Sequence, residues 1–259
     1  MYRKCLRDGV VQPKIGTKGV LLARRDNSKF VRDVYERVIS MIADEKPKEH
    51  VLSYVADQVI LTCAGGRPVD DFVITKSVGN YGDVTPETQL DDKGQLTGKA
   101  LIGEYTAPLL PFDKESPEYV EALTKKNVSS AREYYLSCLP PPVQLADRMK
   151  RRGVWVDTGT RLEYVVTDPE NHTSKQSEKI EDVEYMKHHN SVIKIDYFYY
   201  IKALANPLDQ VLSVAFKDVT DFVLKLYIYI YKHRNKVMSQ IKEHSSAMVV
   251  FREATTAPV

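Results

Sequence analysis

The chain has 259 residues, 43% hydrophobic and 28% charged, a balance that supports a folded core and excludes disorder along its whole length. Thirty-seven Lys and Arg against 35 Asp and Glu leave a formal net charge of +2, so the bulk charge signals neither a nucleic-acid partner nor a membrane surface. Cys5, Cys63 and Cys138 are far apart and odd in number, which suits neither a zinc site nor a disulfide framework and points to a reducing compartment.

No secretory leader is expected, because Arg7 and Asp8 stand where an apolar stretch should follow Met1. Val10 to Ala23 reads as extended, with turns at Gly9, Pro13 and Gly16. A helix follows, capped by Asp26, Asn27 or Ser28, with Val31, Val34, Tyr35, Val38 and Ile42 on its core face and Pro47 at its end. A second helix over about 48–64 aligns Leu52, Val55, Val59 and Cys63 and stops at Gly65-Gly66.

Phe72 to Thr75 is expected to form a short strand ending in Lys76. Residues 79–117 are rich in Gly, Pro, Thr and Asp without a sustained period, the pattern of a long surface insertion. Helix is expected over 118–139, broken by Pro140 to Pro142, and again over 143–152. Trp155 to Asp157 and Arg161 to Thr167 suit a β-hairpin, with a polar loop over 168–178. Helices are expected over 180–189, from Tyr197 toward Asn206, and onward from Pro207. The run Leu226 to Tyr231 alternates as a strand would, and the tail after Ser245 should fray. The most apolar run, Asp221 to Lys232, is interrupted by Lys225 and is shorter than the ~20 residues that cross a bilayer, so no membrane partner is expected.

The even total conceals local sorting. Residues 1–32 carry nine Lys and Arg against Asp8 and Asp26, a local charge of +7, whereas 83–121 carry nine acids against three Lys, a local charge of −6. A second basic cluster is Arg148, Lys150, Arg151 and Arg152, and a third is Lys225, Lys232, Arg234 and Lys236. Each cluster alone is read as a solvated face, and three in a neutral chain favour a polyanion, since phosphate binding needs a local surface rather than a net charge.

Signatures of catalysis are missing. Gly16-Thr17-Lys18-Gly19 lacks the spacing of a phosphate cradle. His188-His189 with Glu184, and the acid pairs Asp70-Asp71 and Asp91-Asp92, are read as surface polar residues before metal ligands. Cys63 and Cys138 read as small core residues. Tyr197, Tyr199 and Tyr200 read as core-edge residues before base-stacking platforms.

Six elements, in one order, resemble those of family B DNA polymerases. Lys18-Gly19 followed by Arg24-Arg25-Asp26-Asn27 is similar to the family's Lys-Gly-x-x-x-x-Arg-Arg-Asp, and Phe72-Val73-Ile74-Thr75-Lys76 to its Val-Ile-Thr-Lys. Val143-Gln144-Leu145-Ala146-Asp147-Arg148-Met149 resembles Val-x-Leu-Ala-x-Arg-Met, and Gly159-Thr160-Arg161-Leu162-Glu163-Tyr164-Val165 resembles Gly-x-Arg-x-x-Tyr-Val. Glu181-Asp182-Val183-Glu184-Tyr185, and then Ile195-Asp196-Tyr197 with Tyr199-Tyr200 and Asn206-Pro207-Leu208, complete the set. Among family members the chain is most like the polymerases of large cytoplasmic DNA viruses, of the African swine fever virus type. It departs from the family in the length of the stretch from Ser77 to Leu139 and in Pro142, where the family often has His.

The resemblance implies an α+β fold: a mainly helical thumb with short β-hairpins, preceded by the end of a palm sheet. Residues 1–30 would be distal palm, 31–245 thumb with the insertion at 79–117, and 246–259 tail. It implies contact with the phosphates of primer–template duplex DNA through Lys18, Arg24, Arg25, Lys76, Arg148, Arg151 and Arg161. Arg25 has a competing role as the salt-bridge partner of Asp26 or Glu36. The magnesium-binding aspartates, fingers and 3′–5′ exonuclease would lie upstream, so no catalytic residue and no metal site is expected here. Mg2+ would serve the full enzyme, in the host cell cytoplasm. The acidic insertion should point away from DNA, toward a replication partner. The alternative is a non-catalytic interaction module that docks such a partner through this insertion.

Overall fold

The computed structural model describes residues 2–5 and 11–16 by backbone alone, and residues 27–168, 175–190, 192–216 and 219–233 with side chains. The extended run expected over Val20 to Ala23 and the tail from 246 lie outside the described residues. Strands β1 (Tyr2–Cys5) and β2 (Val11–Gly16) pair antiparallel, with Tyr2 opposite Gly16. Helices α1 (Lys29–Ala43) and α2 (Lys48–Cys63) follow, then a 3₁₀ turn at Val69–Phe72 and strand β3 (Ile74–Ser77). Next come β4 (Glu87–Leu90), β5 (Leu96–Ile102), β6 (Tyr105–Pro108), and helices α3 (Pro117–Lys126), α4 (Ala131–Cys138) and α5 (Pro141–Arg151). The order closes with β7 (Arg161–Val166), α6 (Gln176–Lys179), β8 (Ile180–Asp182), α7 (Val183–His188), α8 (Tyr197–Ala215) and α9 (Phe222–Lys232). The fold is therefore α+β, helices with small sheets. By spatial clustering it divides into one unit of Met1–Ile74 with Ile195–Val259, and a second of Thr75–Lys194.

In the first unit, Ser28 caps α1 by accepting from the Val31 N–H at 3.4 Å. Val31, Val34, Tyr35 and Val38 are buried as the spacing predicts, with Ile39 buried while Ile42 is half-buried. Helix α2 buries Leu52, Val55 and Val59 and ends before Gly65, whose φ of +72° supplies the left-handed turn. Cys63 is half-buried on this helix.

Helix α8 runs through Pro207 instead of restarting there. A proline inside a helix costs ~3 kcal/mol, and here Ile201, Leu204, Leu208 and Leu212 are all fully buried on the packed face, each worth ~1.5–3 kcal/mol. The same logic resolves α9. Its Leu-Tyr-Ile-Tyr-Ile-Tyr run forms helix, with Phe222, Val223, Leu226, Tyr229 and Ile230 buried at three- and four-residue steps. Tyr200 is fully buried, and burial pushes the Tyr197 and Tyr199 phenols above their ordinary pKa, so these tyrosines are packing residues.

Arg67 locks the loop after α2. Its guanidinium lies over the Phe30 ring at 4.8 Å and donates to Thr62 Oγ1 at 3.1 Å, Asp71 Oδ2 at 3.0 Å and the Gln58 side chain. Asp71 also accepts from Lys29 at 3.1 Å, which makes it an ion-pair anchor rather than half of a metal-binding acid pair.

The second unit departs most from expectation. The insertion is structured: β4, β5 and β6 form a three-stranded antiparallel meander that buries Ala100, Ile102 and Ala107. Asp91 makes its turn by accepting from the N–H groups of Lys93 and Gln95 at 2.9 and 2.8 Å. Gly103 has a φ of +58°, and a Cβ there would collide with the Asn80 carbonyl. Gly103→Ala is expected to lower stability by about 1–3 kcal/mol in urea unfolding.

Trp155 to Asp157 is not a strand; β7 pairs instead with β8, Tyr164 opposite Asp182, and lies between β8 and β3. The helix expected over 180–189 accordingly starts late, as α7, capped by Asp182. The helix expected over 118–139 is two, α3 and α4, parted by Asn127 in the left-handed region at φ 52°. Pro140 stands at the N-cap position of α5 without a side-chain cap, and Pro141 and Pro142 occupy its first turn, where a missing N–H costs nothing.

Candidate nucleic-acid interface

Helix α5 carries the second basic cluster. Its core face buries Val143, Leu145, Ala146 and Met149, and with them Asp147, which is 1% exposed. A buried carboxylate requires partners. Asp147 has two: Arg132 donates to Oδ1 at 2.6 Å, and Arg151 forms an ion pair with Oδ2 at 2.9 Å.

Every cation of the cluster is engaged. Arg148 is turned inward, its two terminal nitrogens donating to the Ser177 and Ile180 carbonyls at 2.7 and 2.6 Å. Burial pushes its pKa below the ordinary value, so this guanidinium is partly desolvated. Lys150 donates to Asp83 at 2.9 Å and lies 5.0 Å from the centre of the exposed Trp155 ring. Arg152 grips Glu181 with both terminal nitrogens, at 2.9 and 3.0 Å, and covers the Tyr185 ring at 3.8 Å. Its hydrogen bond to Glu181 raises its pKa.

Two more of the predicted residues share a small sheet. Lys76 lies on β3 and Arg161 at the start of β7, neighbours whose ends are joined by the Val78 N–H to Thr160 carbonyl bond at 3.1 Å. Arg161 is exposed and Lys76 half-buried. Lys18, Arg24 and Arg25 lie outside the described residues.

A cleft of about 730 Å³ opens beside α5 and brings Arg148 and Arg151 together with Lys125, Lys126 and Lys175. The last three were not singled out from sequence. Lys125 and Lys126 end α3, where cations complement the carbonyl end of the helix, and they fall just past the acidic window that masks them in a charge count. Among the described residues no three His, Cys, Asp or Glu side chains converge as a metal-binding group. His188 and His189 each turn a ring nitrogen to a carbonyl of their own helix, at 2.7 and 2.8 Å. No helix among the described residues is long and apolar enough to cross a membrane.

Residues 111–215 match the sequence model of DNA polymerase family B. The chain is 38% identical over 233 residues to DNA polymerase 120R of Invertebrate iridescent virus 3, covering 88% of this chain and 20% of that protein. It is 34% identical over 260 residues to the putative DNA polymerase 060R of Frog virus 3 (isolate Goorha), covering 93% of this chain and 24% of the relative. The chain thus spans about a fifth to a quarter of the length of these relatives. The structure of the family B DNA polymerase from Pyrobaculum calidifontis aligns with 83% of this chain and 20% of its own, at 19% identity and a TM-score of 0.44.

Proposed function

We propose that this chain is the distal palm and thumb portion of a viral replicative DNA-directed DNA polymerase, and that it holds primer–template duplex DNA by its phosphates without sequence preference. The observation that carries this reading is that the family match at 111–215 spans α5 and β7, the elements bearing Arg148, Arg151 and Arg161. Phosphate contact positions a duplex and carries no base information. On this reading residues 1–30 are palm and 31–245 thumb, with 246–259 as tail. The magnesium-binding aspartates, fingers and exonuclease belong to upstream parts of the same polypeptide, and this segment alone is inactive. Similarity to viral polymerases supports replication of viral DNA in the host cell, which we assign to the cytoplasm, as for large DNA viruses of the African swine fever virus type.

The test is binding of a primer–template duplex by the full chain across a salt series. For about four phosphate contacts, raising salt from 50 to 200 mM should weaken binding by ~10²-fold. A flat response would overturn the duplex reading. It would leave standing the second one, in which the ordered β4–β6 insertion docks a replication protein. The observation favouring that alternative is the hairpin tip, where Leu90 and Leu96 pair across the strands at 55% and 57% exposure beside Asp91 and Asp92.

A further inference from the structure

The segment between α5 and β7, residues 152–160, is tied down at both ends. At its start the Gly153 and Val154 N–H groups donate to the Lys150 and Met149 carbonyls at 3.0 and 2.9 Å. At its end the Gly159 N–H donates to the Val78 carbonyl at 2.8 Å, and the Val78 N–H donates to the Thr160 carbonyl at 3.1 Å. Val156 is half-buried, yet the segment leaves Val154 50% and Trp155 74% exposed. Apolar side chains exposed singly are ordinary on a protein surface. Two adjoining ones, one of them the only tryptophan of the chain, on a loop held this firmly, form a presented surface.

The surroundings of that surface are cationic. The Lys150 ammonium lies 5.0 Å from the centre of the Trp155 ring, within reach of a cation–π contact that steadies the ring from α5. Arg161, where the segment enters β7, is exposed and forms no ion pair among the described residues. From 148 to 161 the chain has five Lys and Arg against Asp157 alone. Carboxylates answer Lys150, Arg151 and Arg152, and the Lys150–Asp83 pair, with Asp83 84% exposed, is of the surface kind that an incoming phosphate displaces easily. An indole offers an apolar face and one N–H donor. Set among cations, it complements a nucleic-acid backbone, in which apolar sugars alternate with phosphates. A duplex keeps its bases stacked on one another, so the partner available to the ring is a sugar.

We propose that Trp155 packs against a deoxyribose of bound duplex DNA, beside the phosphate that Arg161 contacts, so that this segment grips by apolar contact as well as by charge. The proposal rests on the duplex-binding reading above and adds to it a contact that salt does not screen.

The experiment uses the full chain and a fluorescein-labelled primer–template duplex followed by anisotropy, together with quenching of Trp155 emission by acrylamide, a neutral probe. Bound duplex should lower the acrylamide quenching constant about twofold or more, as the interface shuts solvent away from the ring. Inorganic polyphosphate, which has the charge without the sugar, should leave it nearly unchanged. Trp155→Ala should weaken duplex binding about fivefold or more with an unchanged salt slope, because no phosphate contact is lost, whereas Arg161→Gln should make the slope shallower by ~0.9. Trp155→Phe should recover most of the affinity. Phe112→Ala, which removes a comparably exposed aromatic (72%) in the acidic window, should match the parent. The quenching measurement is made on the parent chain and does not depend on any variant folding. Parent-strength duplex binding in Trp155→Ala, or a quenching constant that duplex leaves unmoved or that polyphosphate lowers equally, would overturn the proposal and leave the duplex reading standing. Absence of duplex binding by the parent chain would overturn both.

Discussion

Replacing Phe72 by alanine should lower the stability of the first unit by about 3–5 kcal/mol, the range for deleting a buried aromatic ring. Phe72 ends the 3₁₀ turn, is 0% exposed, and has ring centres of Phe30, Tyr197 and Tyr200 at 5.7, 5.5 and 5.0 Å. Each tilted pair adds to the burial term by ~0.5–1.5 kcal/mol. The loss should exceed that for any single aliphatic truncation on α1. Phe72→Leu should recover part of it, restoring volume but not ring contacts. Urea unfolding followed by far-UV circular dichroism measures the change. The single tryptophan, Trp155, lies in the second unit, so its fluorescence serves as the internal comparison. A loss below ~1 kcal/mol would mean that neighbouring side chains close the hole.

Arg152→Leu should cost about 2–4 kcal/mol in the second unit. The substitution leaves Glu181, 9% exposed, without its bidentate partner, and stranding one member of a buried pair costs ~3–5 kcal/mol. The figure is discounted because the Arg152 side chain is 32% exposed and water can reach part of the pair. Adding Glu181→Gln to Arg152→Leu should return some stability, since the orphaned charge disappears. A double-mutant cycle read by Trp155 fluorescence should therefore give a coupling of at least ~1 kcal/mol. Additive losses would show that the two side chains act independently.

The sequence was most readable where one local signal settles a structure. Ser28 as a cap, the buried stripe of α1 and the stop at Gly65 all follow from spacing and glycine chemistry within a few residues. Reading failed where distant pairing decides. Nothing between Trp155 and Thr167 tells that β7 takes its partner from Ile180–Asp182, and a turn at Gly159 suggested a hairpin that does not form. The polar, unperiodic insertion concealed a meander because its strands are short and largely exposed, leaving few apolar alternations to count. The interface shows the same limit. A run of Arg148, Lys150, Arg151 and Arg152 marks a positive patch in a one-dimensional count, yet Asp83 and Glu181, 67 and 29 residues from their partners, are brought to it by the fold, while Asp147 pairs with Arg151 from one helical turn away. Lys126 and Lys175 gather beside α5 only in three dimensions.

The pairing of those cations bears on how fast a partner arrives. Long-range attraction scales with uncompensated charge, and an arginine already facing a carboxylate at 2.9 Å projects little field beyond the first layer of solvent. If DNA meets this surface as proposed, these paired cations would add little steering, which can otherwise raise association rates from ~10⁵–10⁶ toward 10⁸–10⁹ M⁻¹s⁻¹. Their contribution would come after contact, where a phosphate can take the place of a paired carboxylate, and would act through the lifetime of the complex. A surface built this way would release a wrong anion readily and hold a long polyanion by many small exchanges.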